Sequence, residues 1–128
     1  ALAPEFAEGL DCEVFSFKAL ELAWKEARLK SEREHVTLYI KNHSEIFHIV
    51  SMVNVADESR YRITVDNRED FEVIKKLIEC FVGQRGKCVA LWSEIRAFLD
   101  AHPEVFNMNA HIERNEGLIK SLKEDKAV

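Results

Sequence analysis

Tyr61-Arg62-Ile63-Thr64-Val65-Asp66-Asn67-Arg68-Glu69-Asp70-Phe71 is the stretch whose reading decides the fold class. Tyr61, Ile63 and Val65 alternate with Arg62, Thr64 and Asp66, the period of two expected of a strand with one covered face. Asn67 to Asp70 then supply capping chemistry for a helix with Phe71, Ile74, Leu77, Ile78 and Phe81 on one stripe. A strand that feeds straight into a capped helix is the mark of an α/β domain.

The same two signals recur on either side. Leu10, Cys12 and Val14 alternate with Asp11 and Glu13, predicting a strand at the start of residues 10–17. Ser16 then caps a helix with Leu20, Ala23, Trp24 and Ala27 on its inner stripe. Ser31-Glu32-Arg33-Glu34 has the spacing of a capping box and predicts a second helix, with Val36, Tyr39, Ile40 and His43 inward and an end at Asn42-His43-Ser44. Phe47 to Val55 is apolar and β-branched and reads as a third strand. Beyond the Tyr61–Phe71 segment, Gly83-Gln84-Arg85-Gly86-Lys87 is expected to break the helix. A further helix follows from Val89, with Trp92, Ile95 and Leu99 inward, limited by Pro103 at Ala101-His102. A last helix over roughly 109–124 carries Ile112, Ile119 and Leu122. The order βααββα plus two helices predicts an α/β fold with a partial sheet of about three strands. The expected division is an α/β part at 1–82 and a helical C-terminal extension at 83–128, packed on the same domain.

Composition bounds the function. The 128 residues are 47% hydrophobic, enough for one domain with a core. A net charge of -5, with acids and bases interspersed, argues against nucleic acid and anionic membrane surfaces as partners. No apolar run approaches the ~20 residues of a membrane span. Ala1-Leu2-Ala3-Pro4 carries no secretory signature and no initiator Met, so the expectation is a cytoplasmic piece of something longer. Cys12, Cys80 and Cys88 form no C-x-x-C pair, which reads as reduced thiols rather than a zinc site.

Asp66 is the leading candidate for chemistry. It stands at the end of an expected strand and just before a helix, where ligands of open α/β sheets bind. A carboxylate there suits Mg2+ and a phosphate; a plain turn-former that caps the helix is the alternative. Asp11 and Glu13, two residues apart, suit a cation or sugar hydroxyls, or else a solvated face. Arg33 and His35, beside a helix start, suit an anion, or else pair with Glu32 and Glu34. No nucleotide-cradling glycine motif, zinc-protease spacing or nucleophile elbow occurs anywhere.

At these residues the chain resembles a known family. Gly9-Leu10-Asp11-Cys12-Glu13-Val14-Phe15 resembles the G-L-D-x-E-V-F segment of cytidylyltransferases of the spore-coat-polysaccharide type. Ser31-Glu32-Arg33-Glu34-His35-Val36-Thr37-Leu38-Tyr39-Ile40 resembles their S-E-R-E-H-V-T-P-Y-I, with Leu38 where proline is usual. Tyr61 to Phe71 resembles L-R-x-T-V-D-x-x-E-D-L, and Asn109 to Gly117 is similar to a common ending of the family. The resemblance covers only the family's C-terminal half. It lacks the N-terminal layer with the glycine-, arginine- and lysine-containing loop that holds CTP and a second metal-binding aspartate.

The resemblance implies transfer of a cytidylyl group from CTP to a sugar or sugar acid, with Mg2+, by in-line attack of a sugar hydroxyl on the α-phosphate. It implies a metal role for Asp66 and sugar-side positions for Asp11, Glu13, Arg33 and His35. The expected partners are CTP and a sugar in the full-length protein, with a homodimer left open. Alone, the chain is expected to be an inactive fragment; the competing reading is a non-catalytic binding or dimerisation module.

Overall fold

The computed structural model describes residues 6–85 and 90–127. Ala1-Leu2-Ala3-Pro4 and the positions Gly86, Lys87, Cys88 and Val89 of the expected break, thiol set and helix start lie outside the described residues. The elements are helical: α1 (Phe17–Glu26), α2 (Lys30–Glu34), α3 (Leu38–Asn42), α4 (Arg68–Arg85), α5 (Trp92–Ala101), α6 (Pro103–Phe106) and α7 (Glu116–Lys123). No described helix is long and apolar enough to cross a membrane.

The three-strand sheet is not there. Residues 10–16, 47–55 and 61–66 hold the alternating or β-branched patterns, yet among the described residues none forms a strand. β-Pairing is confined to isolated bridges, Glu8 with Arg62 and Leu29 with Ala127. The physical reason is that a strand is a property of a pair. Periodicity marks a segment able to join a ladder, but its main-chain donors and acceptors are satisfied only if a neighbour runs alongside. The α/β class read from the pattern is therefore replaced by helices joined by irregular segments.

The chain divides into two compact units, one from residues up to Asp11 and Val53–Ile112, the other from Cys12–Met52 and Glu113–Val128. The first holds the larger core. Ala7, Tyr61, Val73, Leu77, Phe81, Leu99 and Val105 are buried, with Ile63, Ile74, Trp92, Ile95, Phe98 and Phe106 packed around them. On α4 the described buried apolar positions are Val73, Leu77 and Phe81, at i, i+4, i+8. Phe71 and Ile78, expected inward, are 55% and 43% exposed, so the covered stripe is rotated from the one expected. α4 also runs through Gly83 to Arg85 rather than stopping at the glycine. The Tyr61 ring meets Trp92 and Phe106 edge-on at centroid distances of 5.4 and 5.7 Å.

Gly9 explains how the chain start reaches Tyr61–Ile63. The Glu8 N–H donates to the Tyr61 carbonyl at 2.9 Å, and the Ile63 N–H donates to the Glu8 carbonyl at 2.8 Å. At that approach Gly9 takes φ +99°, and a Cβ there would lie 2.8 Å from the Ile63 carbonyl carbon.

The second unit is smaller inside: Ala23, Ala27 and Tyr39 are buried, backed by Ile40 and Phe47. α1 begins as its sequence predicts, with Ser16 Oγ accepting from the Ala19 N–H at 3.1 Å. Trp24, expected on the inner stripe, is 65% exposed. The single helix expected from Ser31 is split into α2 and α3. Its start is one residue earlier, and the Ser31 hydroxyl donates instead to Asp125 Oδ2 at 2.7 Å. Of the last helix expected over roughly 109–124, only α7 forms, with turns rather than helix from 109 to 115.

Leu99 is 2% exposed and Leu122 is 48% exposed, although the pattern puts both inward. Leu99→Ala is expected to cost about 2–5 kcal/mol of stability. Leu122→Ala is expected to cost under about 1 kcal/mol. Urea denaturation of the two variants checks the difference; equal losses would contradict the core assignment.

Candidate functional site

Asp66 lies in the first unit, immediately before α4, with its side chain 64% exposed. Its surroundings are built around a buried guanidinium. Arg62, 6% exposed at its side chain, meets Glu8 Oε2 through Nη1 at 2.7 Å and Asp70 Oδ1 through Nε at 2.8 Å. Its Nη2 donates to Asp70 Oδ2 at 2.9 Å and to Asp66 Oδ2 at 3.0 Å. Arg62 and Asp70 thus form the paired, forked contact that arginine makes with a carboxylate.

Asp70 is fully buried. Besides Arg62, its Oδ1 accepts from Asn109 Nδ2 at 2.9 Å, and its Oδ2 accepts from the N–H groups of Asp66 and Asn67 at 3.1 and 3.0 Å. A third-position acid reaching back to main-chain donors ahead of a helix is the acidic half of a capping box. Asn109 completes the frame by donating to the Arg62 carbonyl at 3.1 Å. Burial alone would raise the Asp70 carboxyl. The bonds from Arg62, Asn109 and the two main-chain amides outweigh it and hold the group well below the usual carboxylate range. The bonds to Asp70 likewise raise Arg62 above its ordinary value, against its burial.

The residues suit a divalent cation only in part. Asp66 Oδ2 is engaged by Arg62, and among the described residues no group of three His, Cys, Asp or Glu side chains is arranged to hold a metal. Mg2+ is commonly held by one or two carboxylates, with waters and substrate phosphates completing its shell. Asp66 therefore fits as a single exposed ligand, not as a preformed metal centre.

The other candidates have separate surroundings. Asp11 is exposed at the chain-start edge of the first unit. Glu13 belongs to the second unit, where its Oε2 accepts from Thr37 Oγ1 at 2.6 Å and Lys41 pairs with Oε1. Burial would raise the Glu13 carboxyl, but Lys41 and Thr37 bring it below its ordinary value. Arg33 is exposed and donates through Nη1 to the Trp24 carbonyl. His35 Nε2 lies 3.0 Å from Ser121 Oγ, which donates to Glu34 Oε2 at 3.1 Å. These side chains tie the second unit together. α2 is capped by Asp125, which accepts from the Ser31 N–H at 3.0 Å and from its hydroxyl.

Sequence reasoning missed Arg62, Asp70 and Asn109 as parts of the Asp66 site. Arg62 falls on the polar face of the alternating segment and reads as solvated. The available signal was the spacing Arg62-x-x-x-Asp66-x-x-x-Asp70, one base within reach of two acids at successive intervals of four.

A second charged group lines an open recess of about 260 Å3 in the first unit. Its carboxylate, Glu58, is 8% exposed and accepts from Trp92 Nε1 at 2.8 Å, Arg96 Nη1 at 2.7 Å and Asn54 Nδ2 at 3.0 Å. Across it, Arg60 and the Tyr61 hydroxyl both donate to Asp100. Glu58 with Arg96 and Asp100 with Arg60 are paired within this recess, while Asp57, also in its lining, accepts from the Ser59 N–H at 2.9 Å.

The chain is 34% identical over 110 residues to an uncharacterized protein, MJ1063, of Methanocaldococcus jannaschii, a match covering 81% of the chain and 42% of that protein. It is 37% identical over 75 residues to the spore coat polysaccharide biosynthesis protein SpsF of Bacillus subtilis, covering 56% of the chain and 30% of SpsF. The chain thus spans less than half the length of each of these relatives, and its relationship to SpsF is partial and distant. No family model matches the chain. No solved structure matches it.

The depressed Asp70 carboxyl fixes a direction for acid sensitivity. A group whose pKa is lower folded than unfolded contributes stability that is complete above the unfolded value, about 3.9 for Asp, and is lost as pH falls toward the folded value. Glu58, also held below its ordinary value by its three donors despite burial, adds in the same direction. Urea midpoints are expected to drop steadily below about pH 4. Asp70→Asn is expected to lose about 3 kcal/mol at neutral pH and to flatten that acid slope. An unchanged slope would remove Asp70 as its source.

Proposed function

We propose that this chain is part of a nucleotidyltransferase that moves a cytidylyl group from CTP to a sugar or sugar acid in polysaccharide biosynthesis, and that it is inactive alone. The observation that carries the reading is the similarity to SpsF, joined to an exposed aspartate held at the start of α4 within the segment that resembles T-V-D-x-x-E-D. In this reading Asp66 contributes one carboxylate to a phosphate-binding cation. When bound, the cation supplies neutralisation of the charge that develops on the phosphate oxygens.

The chain's own residues orient and bind. Arg62 and Asp70 fix the approach of Asp66, and Glu13, Arg33 and His35 offer polar groups to sugar hydroxyls or a sugar carboxylate. Asp11 is an exposed carboxylate of the same kind. Contacts to the nucleotide come from polypeptide that the longer relatives have beyond the matched region.

A second reading, an assembly module, has its own supporting observation. Val50, Met52 and Phe17 in the second unit are 76%, 74% and 78% exposed. Exposed apolar side chains mark an association surface where they join into one contiguous patch. Sedimentation across concentration separates the readings, because a monomer at high concentration removes the assembly module.

Two outcomes are expected of the leading reading. Isothermal titration of this chain with CTP, with and without Mg2+, is expected to give no binding heat; a clear isotherm would overturn the claim that the nucleotide contacts lie elsewhere. In a full-length protein containing this segment, Asp66→Asn is expected to lower Mg2+-dependent cytidylyl transfer by roughly 10²–10³-fold. Undiminished turnover would take Asp66 out of the site.

A further inference from the structure

We propose that Asp70 is the positioning residue for Asp66: it sets the main chain from which the Asp66 carboxylate projects and keeps Arg62 occupied, so that the carboxylate is free to turn to a cation. The inference rests on the reading of Asp66 as a cation-binding carboxylate and deepens it.

The geometry separates two roles within one charged group. Asp70 holds the peptide N–H of Asp66 directly at 3.1 Å and that of Asn67 at 3.0 Å. It therefore fixes the turn that aims Asp66. It also takes two nitrogens of Arg62, at 2.8 and 2.9 Å, while Glu8 takes the third at 2.7 Å. The two carboxylates that neutralise Arg62 are thus Asp70, with no exposure, and Glu8, with 13%.

Asp66 is the surplus partner. It shares Nη2 with Asp70, sits at 3.0 Å, and is 64% exposed. An ion pair so open to water is weak, while one enclosed as Arg62–Asp70 is expensive to break. Asp66 can leave Arg62 without stranding a buried charge. Asp70 cannot move without releasing both the guanidinium and the turn. Partners that orient a metal-binding side chain from behind typically change metal affinity by 10–100-fold when removed.

The test uses the unmodified chain, 15N-labelled, with Mn2+ as a paramagnetic probe, following line broadening of the Asp66 and Asn67 amide signals. Asp66→Asn is expected to abolish the local broadening. If the unmodified chain shows none, or if Asp66→Asn leaves it intact, the cation reading falls and this proposal falls with it. Asp70→Asn is expected to weaken Mn2+ binding by about 10–100-fold per folded molecule, with folded fraction measured on the same sample. Should Asp70→Asn not fold, Asn109→Ala decides. That variant leaves the Asp70 charge in place but deletes one of its donors, and roughly tenfold weaker binding is expected. If the variant that folds loses only stability and keeps its Mn2+ affinity, Asp70 is a structural cap and the positioning role is overturned.

Discussion

The first unit depends on one buried charge contact, the fork of Arg62 on Asp70. Both side chains are almost wholly removed from water. Neither could stay charged there alone, because an isolated buried ion costs several kcal/mol. Their pairing lets the guanidinium tie the chain start through Glu8 and the turn before α4 through Asp70, while Asn109 joins the segment after α6 by donating to Asp70 and to the Arg62 carbonyl. A shared polar hub of this kind has few alternative arrangements, since each exchange leaves a donor or acceptor unsatisfied. The apolar cluster of Val73, Leu77, Phe81 and Leu99 supplies bulk stabilisation, whereas the hub determines register.

The second unit has no such hub and a thin apolar interior. Its described buried apolar residues are two alanines, Leu38 and Tyr39, so burial contributes less there than in the first unit. Side-chain caps and exposed pairs carry more of the organisation. Asp125 caps α2 from far along the chain, Ser121 joins His35 and Glu34, and Glu13 joins Thr37 and Lys41. Contacts of this class are worth fractions of a kcal/mol to about one each. By this accounting the second unit opens more readily than the first, and amide exchange within α7, which has no buried residue, is its expected fast end.

Local signals were legible where the answer is local. Ser16 announces α1, Pro103 falls where α5 has ended, and the apolar repeat after Asn67 announces α4. What was not legible is non-local. The alternations at 10–14 and 61–66 are real, but a single chain segment cannot state whether a neighbour exists, and among the described residues neither gains more than the isolated bridge of Glu8 with Arg62. Ser31 shows the same limit on a smaller scale. Its capping-box spacing is satisfied in sequence, yet the hydroxyl is taken by Asp125, 94 residues away. Arg62 drew no notice because alternation assigns a face and not an environment. On the polar face of a true edge it would be solvated; beside Glu8, Asp70 and Asn109 it is enclosed. Asp66 was singled out for its place at the end of a strand, and among the described residues no strand ends there; what holds is that it precedes α4 with an exposed side chain.

Energetics also divides the candidate residues into those that can meet a ligand and those that form the frame. Asp66 is paired but 64% exposed, and Glu13 and its partner Lys41 are 42% and 58% exposed at their side chains. Exchanging such pairs for a ligand's hydroxyl or phosphate sacrifices at most about 1 kcal/mol. Asp70 and Arg62 are a different case, because withdrawing either strands the other at a cost of about 3–5 kcal/mol. A ligand that engaged Asp70 directly would have to offset that cost before it gained any affinity. The side chains open to binding are therefore the exposed members of each pair. Asp70, whose carboxyl its donors hold well below the usual range, belongs to the frame and not to the exposed side chains that could meet a ligand.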